Sequence, residues 1–357
     1  MPISGLHHRR EIAKAAIQST PNREIPHSVR PFLFLRALPL ALALGVGAAP
    51  ALATQHPASV ALTFDDLPAI TLVKREAYVA DLNRRLLAGL RRHHIPATGF
   101  VNESKLDEMD RLRQTAILRA WLKAGMDLGN HTFSHESPNE VGATAYTADI
   151  AQGEVVTKQL LAERGRSERW FRAPNLETGS PLAAKREIAD WLDTHGYRMA
   201  PVSMNATDWQ FAEPYDDAIA HHDTARAQRL RASYLAYTAR MITWYREQAH
   251  ILFGRDIAYV MLMHASRLNA DCIDDLAALL RRNGLRPVTL DQAMRDPAYR
   301  TADAYDGKDG IDWMERWALA LNKSLNWDAF HDVPKQVQRE YDKVDSDREE
   351  GDSGQSG

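Results

Sequence analysis

The chain has 357 residues, 45% hydrophobic and 25% charged, with 44 Lys+Arg against 47 Asp+Glu and one cysteine, Cys272. That composition supports one large globular domain or two small ones, and its near-neutral charge speaks against a nucleic-acid binder, which carries a basic surplus matched to phosphates. A lone thiol excludes an internal disulfide, a CxxC redox pair and a multi-cysteine zinc site, so a bound metal would have to rest on histidines and carboxylates.

In chain order, Arg30 and Arg36 precede an apolar, small-residue run from Ala37 to Ala53 that ends Ala51-Leu52-Ala53, the layout of a secretory signal with cleavage expected after Ala53. The run contains Pro39, Gly45, Gly47 and Pro50 and falls short of a membrane span, so no permanent membrane anchor is expected. Residues 1–28 make a long lead, and a start at Val29 would leave a signal of ordinary length. Residues 1–53 hold six basic and two acidic side chains, so without them the formal charge goes from −3 to −7.

From there the pattern is α/β. Apolar runs rich in β-branched or aromatic residues predict strands at Val60–Phe64, Thr98–Val101, Trp170–Arg172, Arg198–Ser203, Ala258–Met263 and Arg286–Leu290. Helical periodicity lies between them, and such alternation points to parallel strands joined by crossovers. Lys74–His94 is an amphipathic helix, with Tyr78, Leu82, Leu86 and Leu90 at four-residue steps. Asp190–His195 before Gly196 reads as a helix end. Ala225–Ala249 is a longer helix within an insertion, 210–254, and Trp313, Trp317 and Trp327 mark a region beyond the last strand. Trp313 and Trp317 stand four apart, a spacing that favours helix packing over sugar stacking. The stretch Arg339–Gly357, with seven acidic and three basic residues and almost nothing apolar, reads as a disordered tail.

Residues with chemistry cluster where these strands end. Asp65 and Asp66 follow Val60–Phe64 directly, and adjacent carboxylates at a buried strand end require a cation or a shared proton; an Asp pair opening a turn or capping a helix is the plainer alternative. In Gly129-Asn130-His131-Thr132-Phe133-Ser134-His135, four-residue spacing in a helical turn puts both imidazoles on one face, as two ligands on one metal need. Two histidines and one carboxylate leave coordination positions open, the layout of a catalytic site. Arg172-Ala173-Pro174, Asp208-Trp209 and His264 follow. Each has an ordinary reading: a surface ion pair for Arg172, a turn for Asp208, core packing for Trp209 and His264. Those readings leave unexplained the order of the motifs and their placement at successive strand ends.

Over about Ser59 to Asp296 the sequence resembles the polysaccharide deacetylases of the NodB-homology type, carbohydrate esterase family four. Thr63-Phe64-Asp65-Asp66, His131-Thr132-Phe133-Ser134-His135, Arg172-Ala173-Pro174, Asp208-Trp209 and Leu262-Met263-His264 resemble the five motifs of that family, in order. The resemblance implies a deformed, incomplete (β/α) barrel with extra C-terminal helices and a metal at its carboxyl-end face. It further implies Asp66, His131 and His135 as ligands of a divalent ion, zinc first, with Asp65 as general base and His264 as general acid. Arg172 and Asp208 would orient base and acid, Trp209 would form a wall, and the backbone N–H at Asn175 would help hold the oxyanion. Three departures stand out: Leu67 replaces the usual Gly after the double Asp, Asn175 replaces Tyr, and Asn205 replaces an acid three positions before Asp208.

The expected organisation is therefore a signal at 1–53, a deacetylase domain at 54–295 containing the 210–254 insertion, a helical extension at 296–335, and an acidic tail at 336–357. The expected function is that of an exported deacetylase, periplasmic or secreted. Its substrates would be acetylated glycans, with N-acetylglucosamine units of peptidoglycan or chitin-like oligomers ahead of acetylated xylan. Hydrolysis of a non-sugar amide or imide, or glycan binding without turnover, are the alternatives.

Overall fold

In the computed structural model, which describes residues 58–345 apart from Glu168, the first strand β1 (Ser59–Leu67) is buried on both faces. Alternation divides it: Val60, Leu62 and Phe64 join the core beneath the helices, while Ala61 meets Phe100, Trp170 and Val260 on the opposite, inner face. A strand apolar on both sides belongs in the middle of a parallel sheet covered by crossover helices. The chain supplies them in turn: α1 (Glu76–Arg92), β2 (Ala97–Val101), α2 (Arg111–Lys123), β3 (Asp127–Asn130), α3 (Ala143–Gln152), α4 (Val155–Ala162), β4 (Trp170–Phe171), α5 (Leu182–Thr194), β5 (Arg198–Met199) and β6 (Met204–Asn205). Helices α6 (Trp209–Ala220) and α7 (Thr224–Phe253) follow, then β7 (Ala258–His264), α8 (Arg267–Arg282) and β8 (Arg286–Pro287).

The described strands pair in parallel in the order β5-β4-β3-β2-β1-β7-β6, with β8 joining the start of β1. The two ends of that path, β5 and β6, are separated by only residues 200–203, a tether of roughly 17 Å at full extension. The sheet must therefore curl until its edges nearly meet without hydrogen-bonding to each other. This is an incomplete α/β barrel.

Several expected elements change. Of the expected strand Arg198–Ser203 only Arg198–Met199 is strand, as β5, and pairing resumes past its end at β6; Pro201 has no N–H to give a ladder and the Val202 carbonyl accepts instead from the Trp313 N–H at 2.7 Å. Strand β3 was not anticipated; Asp127-Leu128-Gly129-Asn130 carries one aliphatic residue, yet it pairs along β2. Helix Ala225–Ala249 runs longer, as Thr224–Phe253, from the Asp223 cap to Gly254 in the left-handed region at φ 72°.

Beyond β8, helix α9 (Trp313–Ala320) buries Trp317 completely against Phe253 and Tyr299, and Trp327 packs on Trp244 and Phe330. These tryptophans are packing residues. The tail expected from residue 336 starts too early: Lys335–Tyr341 is a helix, α10. It buries Val337 and Tyr341, and Glu340 pairs with Arg226 and Arg229, apolar and ionic contacts that a composition average over the acidic stretch conceals. The expected signal at 1–53 and the rest of the tail, 346–357, lie outside the described residues. Among the described residues no helix is long and apolar enough to cross a membrane.

Candidate metal and acid–base site

Neighbouring side chains in a strand point to opposite faces, so Asp65 and Asp66 can share a site only if the backbone turns between them. It does: Asp66 adopts φ 61°, the β1–β2 register shifts between Phe64 and Leu67, and a left-handed non-glycine residue of this kind stores about 1–2 kcal/mol. Leu67, in place of the small residue the resemblance implies, is fully buried, and Gly99 on β2 makes room for it; a Cβ there would lie 2.5 Å from the Leu67 side chain.

His131 and His135 converge by a different route from the helical turn expected. Strand β3 ends at Asn130, and 131–137 is an irregular loop in which Thr132 and His135 both take φ 63°. The loop is cradled by α3. The Phe133 N–H donates to the Asp149 carbonyl at 3.2 Å, Ser134 donates its N–H and hydroxyl to the Asp149 carboxylate, and the Asn130 amide donates to the Ile150 carbonyl while accepting from Thr132 N–H. Gly153 lies flat against the Thr132–Phe133 peptide.

The result is a donor triad. Asp66 Oδ1 lies 3.6 Å from His135 Nε2 and 3.9 Å from His131 Nε2, close to the roughly 3.4 Å between neighbouring ligands of a tetrahedral ion bound at about 2.1 Å. Asp66 Oδ1 is buried and accepts no hydrogen bond, an oxygen desolvated for something else. His131 donates Nδ1–H to the Arg172 carbonyl at 2.8 Å, which leaves Nε2 as the lone-pair nitrogen facing Asp66. Burial pushes His131 down to about 4, so the ring is neutral and able to ligate. Burial works against the Asp66 charge, but Lys105, His135, His131 and His264 together hold its carboxyl well below the usual range. These residues fit a divalent ion.

On one side of the triad stands Asp65, 3% exposed. Arg172 is fully buried rather than a surface ion pair, and its Nη1 reaches both Asp65 oxygens at 3.0 Å. That guanidinium is itself fixed by the Ala200 carbonyl at 2.7 Å and the Thr63 hydroxyl at 3.2 Å, over the Phe100 ring. Burial raises the Asp65 carboxyl above its ordinary value, partly offset by Arg172 and His264. On the other side His264 ends β7, with Nδ1 2.8 Å from Asp208 Oδ1 and Nε2 3.9 Å from Asp66 Oδ2. Burial opposes the imidazolium, yet Asp208, then Asp66 and Asp65, push His264 up to about 9. Asp208 is locked by the His264 N–H and by Asn269, which Tyr234 holds in turn.

Asp65, Asp66, His131, His135, Arg172, Asp208 and His264 are thus in one place. Trp209 opens α6 and sets its ring edge-on to Tyr341 of α10, 4.9 Å away. Asn175 sits on the surface in a turn with φ 53°. Asn205 accepts from the Thr207 N–H at 2.8 Å. Lys105, Asn102, Asn130 and Asn269 were missed; Asn102 holds the His131 carbonyl. No short motif marks them, and of these only Asn130 adjoins a recognisable one.

Residues 53–200 match the polysaccharide deacetylase family, a span that includes Asp65, Asp66, His131, His135 and Arg172. The chain carries a polysaccharide deacetylase domain. Solved structures similar to it include a family 4 carbohydrate esterase from Streptomyces lividans in complex with acetate, at 19% identity over 66% of this chain and 95% of that one, with a TM-score of 0.43. Another is a peptidoglycan deacetylase from Bacillus subtilis, at 19% identity, 67% and 91% coverage and a TM-score of 0.44. A family 4 pseudoenzyme from Bacillus anthracis matches at 15% identity, 67% and 66% coverage and a TM-score of 0.47. No curated protein matches the chain.

Proposed function

We propose that this protein is an exported, metal-dependent deacetylase that hydrolyses the N-acetyl groups of amino sugars in a cell-envelope or environmental glycan. One observation carries this reading: the Asp66–His131–His135 triad lies between a carboxylate fixed by a buried arginine and an imidazole fixed by a buried carboxylate. A divalent ion held by the triad, which we take to be zinc, supplies Lewis acidity toward an acetyl carbonyl and an attacking water.

The chain's own groups divide the remaining work. Asp65, lifted by burial toward neutrality, accepts the proton that water gives up as its oxygen bonds to the acetyl carbon. Arg172 fixes both Asp65 oxygens and, through its carbonyl, the ring of His131, so base and ligand move as one unit. His264 keeps Nδ1–H on Asp208 and presents protonated Nε2 to the site. That proton passes to the amide nitrogen as the C–N bond breaks, and acetate and a free amine leave. An amine departs poorly as an anion, so an imidazole that the buried Asp208 carboxylate favours in its protonated form suits an amide.

The test is acetate release by the chain from Thr54 onward, on N-acetylglucosamine oligomers, peptidoglycan fragments and acetylated xylan, with zinc and with chelator. Chelator-sensitive release from one of these supports the reading, and Asp65→Asn should abolish it while zinc stays bound. No release from any, in protein with measured bound metal, would turn the assignment toward a non-sugar amide or a binding role.

A further inference from the structure

Lys105 has appeared so far only as a positive charge beside Asp66, and no proton or acetyl step uses it, yet its amine is in the site. It belongs to the single-turn helix Glu103–Asp107 that follows β2. Its Nζ lies 3.6 Å from Asp66 Oδ1, the oxygen that faces both histidines, and its side chain is only 24% exposed. Asp66 is the only carboxylate among the described residues within 4 Å of that amine.

Every other nearby acid is engaged elsewhere. Asp65 belongs to Arg172, and Asp208 to His264 and Asn269. Glu103 turns away to the Val156 and Thr157 N–H groups. Asp107 pairs with Arg111, and Glu108 with Lys74. Once a divalent ion draws on Asp66, three carboxylates (Asp65, Asp66, Asp208) face the ion, Arg172 and Lys105, and the site carries net positive charge before any proton on His264 is counted. A mostly buried ammonium that must share its one counter-charge with a dication is costly, and no other carboxylate among the described residues relieves it.

We infer that the substrate supplies the missing anion: Lys105 is a specificity residue that binds a carboxylate on the acetylated sugar, so the preferred glycan is acidic. The inference rests on the deacetylase reading, and binding and turnover separate the two. Neither Lys105 nor the triad is sealed from solvent: the Lys105 side chain is 24% exposed, that of His135 31% and that of Asp66 13%.

The experiment uses zinc-loaded Asp65→Asn protein, which binds without turnover, and three probes: N-acetylmuramic acid, its neutral lactyl amide, and N-acetylglucosamine. By calorimetry the acid should bind at least about tenfold tighter than the amide, and adding Lys105→Gln should reduce that preference below about twofold while leaving N-acetylglucosamine unchanged. Zinc affinity, measured by chelator competition, should rise in Lys105→Gln because a competing cation is gone. Equal binding of acid and amide would overturn the inference. So would a preference that survives Lys105→Gln, equal weakening of all three probes, or loss of zinc from the variant. In wild-type protein, release from neutral and acidic glycans at equal kcat/KM would sink the Lys105 assignment and leave the deacetylase reading standing. Selective binding with no release from any glycan would do the reverse.

Discussion

Gly153→Ala tests whether the histidine loop is built by contact with α3. Gly153 has an ordinary negative φ, so space alone requires glycine there. A Cβ would lie 2.4 Å from the Thr132 carbonyl carbon, 2.6 Å from its oxygen and 2.6 Å from the Phe133 nitrogen. All three are backbone atoms, and Asp149 pins the same segment through the Phe133 and Ser134 N–H groups. Ordinary contact begins near 3.5 Å, so the 132–133 peptide must retreat by roughly 1 Å. Metal sites tolerate ligand errors of about 0.2 Å, and both histidines flank that peptide. We expect zinc affinity to fall about 10–100-fold, the scale at which disturbed supporting contacts act. The metal-free protein should also lose about 1–3 kcal/mol from overpacking, against a gain of at most about 1 kcal/mol from the stiffer unfolded chain. Competition with a chromophoric chelator measures the first and urea unfolding the second. Zinc affinity within twofold of wild type, with stability unchanged or raised, would refute the reasoning.

Asp208→Asn should lower the His264 pKa from about 9, because burial is then opposed only by the more distant Asp66 and Asp65 charges; imidazole proton resonances of the metal-free protein report it. Since the folded value lies above the ordinary 6.5, the Asp208–His264 pair contributes stability that is complete below about pH 6.5 and is lost as pH rises through about 9. The stability penalty of Asp208→Asn should therefore shrink between pH 6 and pH 9.5 in denaturant titrations. Arg172→Met strands Asp65 in a dry site, and breaking a buried pair from one side costs about 3–5 kcal/mol; a loss under 1 kcal/mol in urea unfolding would show that Asp65 finds another partner or takes up a proton cheaply. Zinc at a hundred times its Kd should stabilise the wild type by about 2.7 kcal/mol. That gain should vanish in His135→Ala, whose metal-free stability should stay within about 1 kcal/mol of wild type because the ring is 31% exposed.

The chain's one-dimensional pattern was enough for the α/β class, for β1, β2 and β7 and for the α1 and α7 helices, and the family resemblance added to it picked out the seven residues now found together. Strand and helix periodicities are local, and Asp65, Asp66 and His264 sit at the ends of strands whose apolar runs are unmistakable. What depended on distant partners stayed hidden. Strand β3 has too little aliphatic character to show alone and exists because β2 offers a ladder. The His131–His135 loop takes left-handed turns held by α3 rather than a helical turn, and the two geometries share the same four-residue spacing. Arg172 taken alone is as readily a surface ion pair, and only its burial over Phe100 makes it the anchor of Asp65; nothing in the sequence singles out Lys105, which the turn after β2 carries to Asp66. Residues 335–341 are mostly polar, with Val337 and Tyr341 as the only apolar or aromatic side chains, and docking of those two on the body of the protein holds the helix. In each case the deciding energy comes from contacts between segments far apart in sequence, where desolvation and charge pairing outweigh local preference.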